Sequence, residues 1–316
     1  MDRRSVVSLL LIALVALSIA MVLYVVSDDT STDAAPPTSQ PAGEASTSPP
    51  DPVDSSNAPS PTASSPTEAE ASTTAPASIP QATLVPGTTA CTPYRTVTTA
   101  GVVASPDLVE ASGMAASRTQ PGIVWAHNDS RDGARAYAIG PNGEDLGGFD
   151  IAGASAFDWE DMAVGPGADP TTSALYFGDI GDNFSIRGGR ITVYRVPEPD
   201  PVTLTGPIEG AVALEYAYPD GTYNAEGLFV AEESIYLVTK DQEEARVYRG
   251  STTPTGSGVE TLELVTVLEL GDEVSGAALS WDGTTIALRG YRSVWMWHRE
   301  PGMTIAEALA AEPCDA

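Results

Sequence analysis

Lysine occurs once in this chain of 316 residues, at Lys240, and histidine and cysteine only twice each, against 43 acidic residues and a formal net charge of −28. Nucleic-acid binding draws on clustered basic side chains that displace counterions from phosphates, so a chain this acidic repels such a partner and none is expected. The scarcity of histidine and cysteine also argues against zinc. Helical periodicity is nearly absent beyond residue 90, which disfavours a helical bundle.

Charge is missing altogether from residues 5–27, SVVSLLLIALVALSIAMVLYVVS. A helix needs roughly 20 apolar residues to cross a hydrocarbon core of about 30 Å, so this segment reads as a transmembrane signal-anchor or as a cleaved signal peptide, with Ser18-Ile19-Ala20 as a small-x-small site. Arg3 and Arg4 precede it and Asp28 and Asp29 follow it. That bias places residues 1–4 in the cytoplasm and the rest outside, or leaves the protein secreted after cleavage. No cysteine follows the run, which argues against lipid modification.

Large apolar residues are the next absence. Residues 28–90 consist mainly of Pro, Ser, Thr and Ala with scattered acids and no basic residue. Such a segment cannot offset the entropy of ordering and is expected to form a disordered stalk, with ends roughly 40–50 Å apart as coil and about 190 Å apart if stretched. Its composition also suits Ser/Thr glycosylation.

The two cysteines, Cys91 and Cys314, bracket the remaining 91–316 segment. Outside the cell such a pair is expected as a disulfide, which would make the two ends of the folded domain neighbours.

Within that segment short β-branched and aromatic runs alternate with Gly, Pro, Asp and Asn clusters, and they repeat. SGMAAS (112–117), EDMAVG (160–165), EGLFVA (226–231) and SGAALS (275–280) align as small-residue strands. Each leads to a second strand (122–126, 174–178, 234–238, 285–289) and then to a third marked by Tyr137, Tyr194, Tyr248 or Trp295. Fourth strands fit at 145–151, 212–218 and 263–270. Four-stranded units repeating at about 50 residues predict an all-β fold, a β-propeller of four or possibly five blades. The last unit lacks an obvious fourth strand, and TVTTAGVVA (96–104) is the expected partner that closes the ring. The five tryptophans fall on strand-like segments and read as core.

Antiparallel blades place the loops before first strands and those between second and third strands on one face. Asp129, Asp158, Glu160, Asp161, Asp179, Asp182, Asn183, Asp220, Asn224, Glu226 and Asp241 are therefore expected on one rim. Crowded carboxylates repel unless protonated, solvated or neutralised, and oxygen donors of this kind suit Ca²⁺. The metal candidates are Asp129, Asp158, Glu160, Asp161, Asp179, Asp182, Asn183 and Glu226. The competing reading of each loop is an ordinary turn, since Asp, Asn and Gly cap local amides. YFGDIGDN (176–183) in particular has neither a lysine nor a helix after it, so its glycines are poor support for a phosphate loop. Glu160 and His127 are the candidate catalytic groups, although a histidine in an His-Asn-Asp turn is commonly just exposed.

The words WAHNDS (125–130), DWEDMA (158–163), LYFGDIGDN (175–183), VYRVPEP (193–199) and YPDGTYNAEGL (218–228) resemble a family of secreted or membrane-anchored β-propeller proteins of high-GC bacteria. The resemblance implies a propeller and no particular reaction. Members of that family continue into a further repeat beyond the point matching Cys314. More distantly the arrangement is similar to calcium-dependent phytase-like and gluconolactonase-like propellers, with acidic residues at the channel mouth.

Two functions follow from this reading. The first is an extracytoplasmic binding or scaffolding module engaging an unidentified ligand or protein. The second is a Ca²⁺-dependent hydrolase of phosphoesters or lactones. The poverty in Arg and Lys, with Lys240, Arg131 and Arg187 the nearby cations, weighs against phosphoesters.

Overall fold

The computed structural model describes residues 101–129, 132–254 and 258–315. The expected membrane helix, the stalk and Cys91 lie outside the described residues, so the anchor and the Cys91–Cys314 pairing stay as proposals. Among the described residues no helix is long and apolar enough to cross a membrane.

Four antiparallel sheets follow one another along the chain. The first is β1 (Ala111–Ala116), β2 (Val124–Asn128), β3 (Arg135–Ile139) and β4 (Asp145–Asp150). The second is β5 (Trp159–Pro166), β6 (Ser173–Asp179), β7 (Arg190–Pro197) and β8 (Val212–Ala217). The third takes β9 (Ala225–Ala231), β10 (Ser234–Thr239), β11 (Ala245–Ser251) and β13 (Glu263–Leu268). Between these last two, β12 (Glu260–Thr261) crosses to pair in parallel with β8, covering the outer edge of the second sheet. The fourth is β14 (Val274–Leu279), β15 (Thr285–Gly290), β16 (Val294–His298) and β17 (Cys314–Asp315). The fold is a four-bladed β-propeller, with the first strand of every blade innermost.

Inner strands pack in sequence, β1 on β5, β5 on β9 and β9 on β14. The small residues of the repeats permit that approach: a Cβ on Gly227 would stand 3.0 Å from the Ala277 Cβ, and one on Gly165 would stand 2.7 Å from Val230. Aromatics fill the seams between blades. Trp125, Trp159 and Phe177 lie between the first and second, Tyr176, Tyr216 and Tyr248 between the second and third, and Phe229, Trp295 and Trp297 between the third and fourth. Each fully buried side chain of this kind contributes about 1.5–3 kcal/mol.

One repeat position departs from the others. Gly113, Gly227 and Gly276 correspond to Asp161, whose carboxylate enters the channel. Its Oδ2 accepts from the amides of Leu228 (2.8 Å) and Ala277 (2.9 Å), and its Oδ1 from its own neighbour Met162 (2.8 Å). One buried side chain thus ties the second blade to the third and fourth.

Two expectations are corrected. The fourth strand of the last blade is the C-terminal β17, paired with β16 at Trp295↔Asp315 and Met296↔Cys314. Of the proposed closing strand, residues 96–100 lie outside the described residues, while Ala104 donates to Gly143 O (2.8 Å) at the first blade's β3–β4 hairpin. The connection to β17 contains a short helix, α1 (Ile305–Leu309), which strand periodicity did not predict. Thr304 and Glu307 form its capping box, and Ile305, Ala308 and Leu309 are buried against the fourth blade.

Candidate functional site at the acidic mouth

The strand directions bring the loops before β5, β9 and β14 and those after β2, β6, β10 and β15 to one face. Three carboxylates converge there. Asp129 follows directly on β2, Asp158 directly precedes β5, and Glu160 is the second residue of β5. One oxygen from each lies within 4.8 Å of the others.

The backbone around them is arranged for this meeting. The register of β5 on β6 shifts between Trp159 and Met162, an irregularity of the kind that re-aims side chains. Asn128, buried at the end of β2, accepts from the Glu110 amide (3.0 Å) and donates to Asp107 O and the Asp132 carboxylate (both 2.8 Å), which fixes the start of the following loop. Gly181 leaves the space into which the second blade's two acids reach. A Cβ there would stand 2.5 Å from both Asp158 Oδ2 and Glu160 Oε1.

Glu160 is 9% exposed. Burial, reinforced by Glu226, Asp158 and Asp129 and opposed by Lys240, pushes its carboxyl up to about 9. Asp158 is raised as well, by burial first and by Asp129 and its other acidic neighbours, against the pull of Arg187. Glu226, at the equivalent repeat position to Glu160, pairs with Lys240 at 2.6 Å, and burial still raises it.

The other expected rim residues perform different tasks. Asp161 is the channel tie already described and does not reach the rim; burial raises it to about 7 against its three amide donors. Asp179 pairs with Arg187 and accepts from the amides of Phe157 (3.3 Å) and Asp158 (3.0 Å), holding the loop ahead of β5. Asp182 accepts from the amides of Ile186 (2.7 Å) and Arg187. Its own amide donates to Asn224 Oδ1 (2.7 Å), while Asn224 Nδ2 donates to Asn183 Oδ1 (3.1 Å). Asp220 accepts from Tyr248 OH (2.8 Å), and Asp241 from the amides of Glu243 and Glu244 (2.9 Å each). In the GDIGDN loop the aspartates are therefore turn staples, and Gly181 is what serves the acid cluster.

His127 is not exposed. It is fully buried at the end of β2, edge-on to Trp159 (5.5 Å between centroids) and Phe177 (6.0 Å), with Nδ1 2.7 Å from Asn128 O. Among the described residues Nε2 makes no regular hydrogen bond, and burial lowers the imidazole below its ordinary value although the backbone of Asn128 and Asp161 partly offsets it. A shielded neutral histidine of this kind is part of the core and not a general base in contact with solvent. Phe157, Phe184, Ile186 and Tyr291 are exposed in loops of the same face.

No family model matches the chain, and no curated protein matches it. Solved structures do. The PQQ-bound aldose sugar dehydrogenase of Streptomyces coelicolor matches at 13% identity and a TM-score of 0.38, over 70% of this chain and 84% of that one. A gluconolactonase of Xanthomonas campestris matches at 18% and 0.36, over 61% of this chain and 59% of that one. A chain of a nidogen/laminin complex matches at 12% and 0.37, over 59% of each. The class of the molecule, a four-bladed propeller with an acidic mouth, stands on its own strand order.

Proposed function

We propose that this propeller is a binding module displayed outside the cell, and that its mouth takes Ca²⁺ through Asp129, Asp158 and Glu160. The observation that carries the reading is the meeting of three carboxylate oxygens within 4.8 Å, drawn from two blades into a space kept clear by Gly181. A hard cation that accepts six to eight oxygens suits such donors, with backbone oxygens and water completing the shell. Bound there, it would supply the positive charge that offsets their mutual repulsion, and Glu160 would ionise. The exposed Phe157, Phe184, Ile186 and Tyr291 around the mouth support engagement of a partner, since exposed apolar side chains next to a polar centre suit an interface. The uncharged 5–27 segment and the 28–90 stalk support display at the cell surface.

The test is thermal unfolding of the full chain at pH 8 with EDTA and with added Ca²⁺. Calcium should raise Tm, and Asp158→Asn and Glu160→Gln should each remove the rise. Identical melting in EDTA and in Ca²⁺ would show that the mouth holds no calcium.

One observation favours a second reading, a Ca²⁺-dependent hydrolase. Glu160 meets Asp129 and Asp158 at the mouth, where with the cation bound it would be ionised and placed to take the proton of metal-activated water, the condition for a general base. Lactones suit it better than phosphoesters, because the nearby cations Lys240 and Arg187 are already paired. Turnover of a lactone panel that disappears in Glu160→Gln is the expected result; no turnover in the calcium-loaded protein eliminates this reading and leaves the binding module.

A further inference from the structure

The channel has another end. Asp161 occupies its middle, and beyond it a cavity of about 270 Å³ opens on the face opposite the acids. Met114, Val164, Val230 and Leu279, one from each inner strand, are among its walls, and Arg118 and Trp281 stand at its opening. Both follow the far ends of inner strands, two residues after β1 and β14. In a chain of net charge −28, the only charged residue among the described residues lining this cavity is an arginine.

That arginine is poorly compensated. Among the described residues Arg118 makes no ion pair or hydrogen bond, and its guanidinium rests over the Trp281 ring at 5.9 Å from the centroid. Burial lowers its pKa, and the field of Glu198 offsets that in part. Both Glu198 oxygens are nevertheless engaged elsewhere, one accepting from Trp125 Nε1 (3.1 Å) and the other from Thr119 Oγ1 (3.3 Å). A half-buried cation without a direct counterion costs free energy that an anion would recover. Trp281 itself is 66% exposed, unlike the four tryptophans that fill the seams, so the reading of every tryptophan as core fails at this residue. The rim of the cavity is apolar and open as well: Met114, Ala116 and Ala278 are exposed.

We infer that this end of the channel binds a small amphiphile, a carboxylate head on Arg118 with a short hydrocarbon tail inside the cavity. An apolar cavity of about 150 Å³ holds benzene, so about 270 Å³ accommodates on the order of ten non-hydrogen atoms, the size of octanoate. The tail would remain in contact with aliphatic walls, and the head would take the guanidinium fork that no carboxylate among the described residues occupies. This site is independent of calcium, because it lies on the face opposite the acidic mouth.

The experiment is calorimetric titration of the full chain with octanoate and with octanol, alongside the fluorescence of the exposed Trp281. Octanoate should bind saturably with one equivalent and perturb that fluorescence. Arg118→Gln should weaken octanoate at least ~tenfold and leave octanol unchanged, as expected for loss of a charge-assisted hydrogen bond. Ala278→Phe, a filling change at an exposed position, should abolish both; Ala116→Phe, from the first blade, is the second such variant should the first fail to fold. Absence of saturable octanoate binding to the wild-type chain overturns the inference, as does octanoate binding that neither Arg118→Gln nor the filling variants weaken.

Discussion

Asp161 shows how one side chain can hold several blades. The other three repeats have glycine at its position, and the pattern made it one more acid of an acidic rim. The structure instead gives it the amides of Leu228 and Ala277 across two seams. Asp161→Ala would leave the two cross-blade N–H groups, besides that of adjacent Met162, without the carboxylate, at about 1–3 kcal/mol for each of the two. Urea unfolding should therefore show a loss of about 2–6 kcal/mol, and a loss confined to a few tenths would mean that water or neighbouring atoms replace the carboxylate. Residues of this kind were poorly legible. Tertiary packing decides whether Asp161 faces a rim or a channel, whether His127 is exposed or sealed, and whether Trp281 is core or surface. The acids also set the response to pH. Glu160 near 9 and Asp161 near 7 bind protons more tightly folded than unfolded, where they titrate near 4.5 and 3.8. Their contribution to stability is fully present below the unfolded values and is lost as pH rises to about 9. In EDTA, Tm should fall between pH 5 and pH 8; a Tm that rises over that interval would contradict the assigned burial of these carboxyls.

The strands were the most legible feature of the sequence. Small-residue segments that recur along the chain located the first strand of every blade to within a residue or two, because both faces of those strands are constrained by neighbouring blades. Two elements escaped. Helix α1 is five residues long, too short to show a period, and its available signal was the Thr304–Glu307 spacing of its capping box. Strand β17 is two residues long and acquires its role only by pairing with β16. The GDIGDN loop was legible as either a turn or a ligand, and it proves to divide the labour: Asp179 and Asp182 hold amides, while Gly181 makes room for Asp158 and Glu160. Gly181→Ala should therefore preserve the circular dichroism spectrum and weaken Ca²⁺ by at least ~tenfold, because a Cβ forces the two carboxylates apart. Calcium affinity equal to wild type in this variant would remove Gly181 from the account.

At the largest scale the described residues form a propeller built from repeats, and the packing of its blades rather than any motif creates its sites. Asp129 and Glu160 belong to different blades, and only the packing of β1 on β5 makes them neighbours. The same propeller leaves two ends of opposite character: an acidic mouth that suits a cation, and an apolar cavity guarded by one arginine. Repeat spacing made the first end readable in outline, because loops can be sorted to a face by strand direction alone. The second was hidden, since the small residues that line it looked like simple packing. Tb³⁺, which takes oxygen ligands as Ca²⁺ does, provides the most direct measurement. Trp159 lies between Asp158 and Glu160 in the chain and can sensitise its luminescence. The account predicts saturable, tryptophan-sensitised emission from one Tb³⁺ per chain, competed by Ca²⁺ and lost in Asp158→Asn and Glu160→Gln; emission that is absent, or equally strong in both variants, would contradict it.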